Sequence, residues 1–395
     1  METLSGDDTR SRRGAAENHL VHWVFPEPAT TLLESSTVVL GRGEQCTPPL
    51  AGQRVSRRHA EIRRSGPLAI LIDLGSTNGV FVNGERAERA VLKVGDVVRL
   101  GDCVGVVSEA SGVTAQPQTF GEIAPGLYGG SCLRAAYGPL EKAGQLSVVL
   151  EGETGTGKEV FAKAAHRVSG RDPFVAVNCA ALPESLAEAE LFGYRQGAFT
   201  GASRSQPGYL RAASGGTLLL DEIVELPMAI QTKLLRAVEM GEVSPLGEHK
   251  PVRIDVRWIA AAQQPLGAAV EKGRFRADLL ARLDGLTLRI PPLRERKEDI
   301  LPLFLHFLGS ENPRFQPSVS ARFVEALCLH DWPLNVRELL QLAKRLVVFC
   351  ADEPRLQRSH LPQSMLVKTE AAPSGARHSE EIVIDQGRRA RRRQA

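Results

Sequence analysis

Seven consecutive residues, Gly152-Glu153-Thr154-Gly155-Thr156-Gly157-Lys158, have the types and spacing to hold a phosphate. Glycines let successive backbone N–H groups curl around an anion that side chains would fend off. Lys158 adds a full positive charge near the terminal phosphates of a nucleotide. Glu159 then stands where most such loops carry a Ser or Thr for magnesium. A second pair, Asp221-Glu222, ends an apolar run. Adjacent side chains at a strand end diverge, so the two acids can do different work. Asp221 suits a magnesium shell, which takes oxygen ligands, and Glu222 suits polarising an attacking water. Loop and acids together point to nucleoside triphosphate hydrolysis.

These groups need elements to position them. The apolar run Leu146-Ser147-Val148-Val149-Leu150 before the loop predicts a buried strand, and the amphipathic residues 159–166 after it predict a helix whose N-terminus favours phosphate. Further strands are expected at Phe174-Val175-Ala176-Val177-Asn178, at Gly216-Thr217-Leu218-Leu219-Leu220, and over Ile254, Val256, Trp258 and Ala260, ending near Gln263. Pro227 opens a helix with Ile230, Leu234, Leu235 and Val238 on one face. Strand alternating with helix predicts an α/β domain with a parallel sheet. Between the second strand and the acids lies Gly197-Ala198-Phe199-Thr200-Gly201-Ala202, a Phe-Thr pair bracketed by glycines. It reads as the tip of a mobile loop, with Phe199 either carried outward or anchoring the loop to the core. Beyond Pro291-Pro292 the chain turns helical. Asn335 and Glu338 form a capping-box pattern, followed by a buried stripe of Val336, Leu339, Leu340, Ala343, Leu346 and Val347.

Residues 19–108 read differently. Short strands at Val38-Val39-Leu40, 68–74, Val80-Phe81-Val82 and 97–100, with a hairpin signal at Asn83-Gly84, predict a β-sandwich. Three polar clusters fall at strand ends: Gly41-Arg42, Ser56-Arg57-Arg58-His59, and Asp73-Leu74-Gly75-Ser76-Thr77-Asn78-Gly79. A guanidinium with a hydroxyl can read the oxygens of a phosphorylated side chain. Residues 109–126, poor in periodicity, read as a linker, in which Thr114 and Thr119 could serve as ligands of the sandwich in cis.

Composition narrows the class. The chain has 395 residues, 43% hydrophobic and 24% charged, ordinary for a soluble globular protein of two or three domains. A net charge of +3 argues for neither nucleic acid nor membrane as a partner. Six scattered cysteines without C-x-x-C spacing suit cytosolic thiols rather than disulfides or zinc. Without a signal peptide or an apolar run long enough to span a bilayer, a cytoplasmic protein is expected. Residues 1–18 and 367–395 read as disordered. The second holds Arg388, Arg389, Arg391, Arg392 and Arg393, a run that is a solvated tail or touches DNA at most nonspecifically.

Two resemblances sharpen this reading. Residues 21–107, with the three clusters and Gly95-Asp96, resemble a forkhead-associated (FHA) domain. That likeness implies a phosphothreonine site of Arg42, Ser56, Arg57, Thr77 and Asn78, with His59 bracing the loops, and a partner phosphorylated by a Ser/Thr kinase. Residues 120–366 resemble the AAA+ domain of sigma-54-dependent transcriptional activators, a core over 127–293 and a helical lid over 294–366. The hexapeptide Gly197-Ala198-Phe199-Thr200-Gly201-Ala202 is that family's most specific mark and implies contact with sigma-54 in RNA polymerase holoenzyme. Glu159 also conforms to the family. The resemblance implies ATP and Mg2+, a homo-hexamer with Arg276 and Arg282 acting in trans, Arg337 as a lid sensor, Gln263 at the core sensor position, and Asn178 paired with the catalytic Glu222 until nucleotide state releases it. Three residues depart from the family pattern: Gln263 for Asn, Arg195 for an acid, and Leu334 for Gly. No helix-turn-helix is recognisable in 367–395, where family members usually carry one for DNA. A phosphopeptide-binding adaptor with a non-hydrolysing nucleotide domain is the alternative.

Overall fold

A computed structural model describes residues 19–33, 35–109, 120–199, 202–248 and 250–366. The N-terminal unit is the expected sandwich of two antiparallel sheets. One runs Ala29–Leu32, His19–Phe25, Cys103–Glu109, Val97–Leu100, Val80–Val82, Glu85–Arg86, and the other Thr37–Leu40, Ala60–Ser65, Leu68–Asp73, Arg89–Leu92. Between them lie Val21, Trp23, Leu40, Ile62, Leu71 and Leu100, and the Trp23 indole donates to Thr31 Oγ1 at 2.9 Å. Asn83 and Gly84 both take positive φ, 51° and 84°, as a tight hairpin turn requires. His59 is fully buried and ties two loops together. Its Nδ1 accepts from Ser56 N at 3.0 Å and its Nε2 faces Gly79 O at 3.1 Å, which makes the ring a neutral Nε2–H tautomer. Burial lowers its pKa from 6.5.

The second unit has a five-stranded parallel sheet. From edge to edge it runs Phe174–Asn178, Thr217–Asp221, Arg257–Ala262, Val148–Glu151, Leu286–Arg289. Both faces are covered, which is why the strands read as continuous apolar runs. Helices Ser131–Glu141 and Lys158–Ser169 pack Leu133, Tyr137 and Phe161 on one face. Helices Glu184–Phe192, Met228–Met240 and Ala277–Leu283 pack Leu191, Leu234 and Leu279 on the other. The linker expected over 109–126 is shorter than the composition suggests. Strand Gly121–Ala124 already pairs with Leu127–Gly129, and Pro125 O accepts from the Arg167 guanidinium of the phosphate-loop helix. Thr114 and Thr119, like residues 1–18 and 367–395, lie outside the described residues. Among the described residues no helix is long and apolar enough to cross a membrane.

The third unit is a helical lid of Ile300–Glu311, Ala321–Leu329 and Asn335–Phe349 around Phe304, Phe323, Leu327, Trp332 and Leu339. The capping box expected at Asn335 does not form. Leu334 is the N-cap residue, and Glu338 accepts from Leu334 N at 3.2 Å and holds His330 at 2.8 Å. Asn335 is instead fully buried at φ 51°, accepting from Leu293 N and donating to Thr154 O and the Glu153 carboxylate. Three bonds to distant backbone and side chains outweigh the single cap bond the local pattern offers.

The lid also meets the sandwich. Val24, Val97, Val104 and Val106 point away from the sandwich core, and on an isolated sheet they would face water. They share one apolar cluster with Phe304, Phe323 and Leu327 of the lid. At its edge Arg99 donates to Glu325 at 2.8 Å, with both side chains less than a tenth exposed. The Arg99 guanidinium also stacks 3.7 Å over the Phe81 ring, and Lys297 donates to Gly95 O at 2.7 Å.

Two outcomes follow. Glu325→Ala leaves a buried guanidinium unpaired and should cost about 3 kcal/mol in urea unfolding, whereas Arg99→Met with Glu325→Leu should return to within about 1 kcal/mol. A double variant no better than the single would refute the assignment. For His59 the folded pKa is depressed, so the unfolded chain takes up a proton first as pH falls below 6.5. Stability therefore declines from 6.5 downward, and His59→Gln should remove that share of the decline in urea midpoints measured across the range.

Candidate nucleotide site and phosphopeptide site

The phosphate loop sits at the C-terminal end of Val148–Glu151 and opens helix Lys158–Ser169. Gly155 and Gly157 take φ of 77° and 105°, conformations side chains resist. The first N–H groups of the helix have no intrahelical acceptor, so this end of the helix suits an anion. Lys158 is nearly buried, and its ammonium donates to Gly152 O at 2.7 Å and Glu153 O at 3.2 Å. Burial lowers its pKa while the charges of Glu222 and Asp221 oppose the fall. Burial raises the pKa of Asp221, and Lys158 pulls it back. Arg337 also acts on Lys158, and its Cβ lies 3.1 Å from where a Cβ on Gly155 would sit.

Glu222 adopts φ 55°, a left-handed conformation that costs a non-glycine residue about 1–3 kcal/mol. That strain turns its carboxylate out of the strand direction, where it accepts from Gln263 Nε2 at 2.9 Å. Asn178 lies opposite Asp221 in the sheet register, but its Oδ1 accepts from Ala180 N at 3.0 Å. The amide that reaches Glu222 in this structure is thus that of Gln263, while the carbonyl of Asn178 caps the turn that follows its own strand.

Two participants, Arg294 and Arg296, were not singled out in the sequence. Glu153 carries a negative charge within a loop meant for phosphate, and Arg294 neutralises it through two bonds of 2.7 and 2.5 Å. That bonding holds the Glu153 carboxyl below the usual range. Arg296, almost wholly buried, reaches Thr156 O at 3.4 Å and faces Asp299 at 3.7 Å. The Pro291-Pro292-Leu293-Arg294-Glu295-Arg296 stretch was the available signal, though spacing alone does not say which cation reaches the loop. Glu159 pairs on the surface with Lys163 at 2.8 Å.

Arg276 and Arg282 are not brought to the phosphate loop within this chain. Arg276 holds Asp278 through bonds of 2.9 and 2.6 Å, and Arg282 donates to Glu239 at 2.8 Å. The two ends of the hexapeptide that the structure describes close on each other. Gly197 N donates to Ala202 O at 2.9 Å, and Tyr194 and Gln206 exchange two backbone bonds below it. Phe199 meets the edge of Tyr194 at 5.0 Å yet remains 38% exposed, so it both braces the loop and shows a face outward. Ala198 lies beside Gly247, whose added Cβ would come within 3.1 Å of it. Thr200 and Gly201 lie outside the described residues.

At the sandwich, the three polar clusters do converge. Arg42 N donates to Ser56 O at 3.1 Å and Gly43 N to Arg57 O at 3.0 Å. The loops meet backbone to backbone, and a Cβ on Gly41 would fall 2.3 Å from Arg57 O. Thr77 N lies 3.5 Å from Ser56 Oγ, and Asn78 donates to Arg54 O at 2.8 Å. The Arg42 and Arg57 side chains are exposed, and neither meets a carboxylate among the described residues. Two free guanidiniums beside a hydroxyl can bind a dianion.

Comparison with known proteins places these residues within known domain families. Residues 138–289 match the sigma-54 interaction domain, 38–101 the FHA domain, and 294–378 an AAA+ ATPase lid domain. HrpS of Pseudomonas syringae pv. syringae, described as a pathogenicity locus probable regulatory protein, is 50% identical over 207 residues, 51% of this chain and 68% of HrpS. The regulatory protein AtoC of Escherichia coli K12 is 45% identical over 60% of this chain and 54% of its own length. UacR of the same strain, a putative uric acid sigma-54-dependent transcriptional regulator, is 47% identical, with the match spanning only 38% of its length. NtrX from Brucella abortus in complex with ATP superposes with a TM-score of 0.56 at 28% identity, over 65% of this chain and 57% of NtrX. With its phosphate loop, paired acids, loop hexapeptide and lid, the chain belongs to the sigma-54-dependent transcriptional activators of the AAA+ class and carries an FHA domain at its N-terminal side.

Proposed function

We propose that this chain hydrolyses ATP to remodel the closed promoter complex of sigma-54 RNA polymerase holoenzyme, and that phosphothreonine recognition by its FHA domain regulates this activity. The gathering of Lys158, Asp221, Glu222 and Arg337 around one loop supports it most directly. Lys158 would hold the terminal phosphates, and Arg337 would read them from the lid. Glu222, already oriented by Gln263, would polarise the attacking water. Asp221 offers hard oxygen in a site where burial disfavours its charge, so a cation is welcome there. Magnesium bound with the nucleotide would neutralise charge on the phosphates.

Arg276 and Arg282 lie away from this chain's own loop, which suits the trans-acting role implied by family resemblance. A neighbouring subunit's arginine can contribute about 10³–10⁵ in rate, so the working form would be a ring, proposed as a homo-hexamer. Phe199 and Thr200 would deliver the movement to sigma-54. The phosphothreonine would meet Arg42, Ser56, Arg57 and Thr77, and its peptide backbone Asn78. A cytoplasmic location accords with these partners.

Lys158→Ala should reduce ATP turnover at least about 10²-fold, and with it open-complex formation on a sigma-54 promoter. Thr200→Ala should keep turnover and lose open-complex formation. Open complexes formed by either variant at the parent rate would refute the motor assignment, and absence of turnover in the parent chain would leave an adaptor. Adding a phosphothreonine peptide should change the open-complex rate in the parent and not in Arg42→Ala. An equal response in both would exclude regulation through this site.

A further inference from the structure

A cleft of about 790 Å³ lies between the loop end of the sandwich and the lid. Arg54 and Asn78 line one wall, and Arg322, Arg355 and Arg358 the other. Its one acid, Asp102, is engaged by Arg54 N at 2.9 Å. Arg322 stands one turn before Glu325 on helix Ala321–Leu329, but the Glu325 carboxylate is taken by Arg99 of the sandwich. The interdomain ion pair thus turns this acid toward Arg99, and its second oxygen, buried without a partner, does not meet Arg322 either. Arg322 and Arg355 are exposed and find no acceptor among the described residues. Asn78 belongs to this wall and to the phosphothreonine cluster at once, and its amide bonds the Arg54 carbonyl.

We propose that the lid completes the phosphopeptide site. A chain anchored at Arg42 and Ser56 passes Asn78 into the cleft, where acidic side chains flanking the phosphothreonine meet Arg54, Arg322 and Arg355. Planar guanidiniums on two facing walls suit carboxylates, which they can bind in a fork. The ligand is thus an acidic phosphothreonine segment read by two domains, and its occupancy bears on the lid that carries Arg337. This inference rests on the phosphothreonine reading of the FHA domain.

The test compares two labelled peptides with a central phosphothreonine, one flanked by glutamates and one by alanines, on the full chain by fluorescence anisotropy. The glutamate peptide should bind about tenfold more tightly at low salt and lose that advantage as ionic strength rises. In Arg322→Ala/Arg355→Ala it should fall to the affinity of the alanine peptide. Arg42-dependent binding of the alanine peptide by that variant reports that it is folded. Equal affinities in the parent, or an advantage that survives the double substitution, would overturn the composite site while the FHA reading stands. Loss of duplex DNA binding in the double variant, with the peptide advantage intact, would likewise overturn it and assign the cleft to nucleic acid. If neither peptide binds in an Arg42-dependent way, the phosphothreonine reading falls and this inference with it.

Discussion

The contact on which most else depends is the one between the phosphate loop and the start of the last long lid helix. A Cβ on Gly155 would lie 2.1 Å from Leu334 O, so only glycine allows the approach. Val336 N then donates to Gly155 O at 3.0 Å, and Asn335 reaches Thr154 O and Glu153 from the same turn. Three successive lid residues are thus fastened to a loop that is itself held in positive φ. A loop that shifts to admit phosphates cannot do so without moving the end of helix Asn335–Phe349. Arg337 lies in the first turn of that helix, where its charge opposes the helix dipole and calls for a partner outside the helix.

From that helix the packing continues outward. Leu339, Leu342 and Leu346 share a core with Phe304 and Phe323, and the same apolar cluster takes in Val97, Val104 and Val106 of the sandwich. The phosphate loop and the FHA domain are therefore joined through one dense interior, which transmits displacement because it has little free volume to absorb it. The Val97–Leu100 strand carries the mark of this cover on its outer face. Val98 and Leu100 pack in the sandwich core while Val97 joins the lid, so all four of its residues are buried. Strict alternation was replaced by burial on both sides, a sign that something covers the sheet.

The local signals were legible because they depend on a few neighbouring residues. The loop glycines, the Asp221-Glu222 strand end and the Asn83-Gly84 hairpin each encode a backbone conformation within a short window, and all three appear as expected. What escaped was long-range. Asn335 and Glu153 are 182 residues apart in sequence, and Arg99 and Glu325 are 226 apart. Composition also misjudged residues 121–126, the first strand and turn of a hairpin that exists because it packs beside the phosphate-loop helix rather than through its own periodicity. Asn335 shows the limit most plainly. Its sequence context has the pattern of a helix cap, and only the proximity of Thr154 and Leu293 shows why the side chain turns elsewhere.

The same logic bears on the departure at Gln263. A carboxylate held at φ 55° by its own backbone needs a donor to fix its direction, since strain alone leaves the side chain free to rotate. Gln263 follows directly on strand Arg257–Ala262, beside the strand that ends in Asp221. It reaches Glu222 at 2.9 Å, and a glutamine arm is one methylene longer than the asparagine usual in the family. On the other side of that strand Asn178 spends its carbonyl on Ala180 N, closing the short turn Cys179–Ala181. The two amides flanking Glu222 thus differ in what they serve, one the backbone of its own turn and the other the carboxylate. A Gln in place of an Asn here is then a change of reach rather than a loss of chemistry.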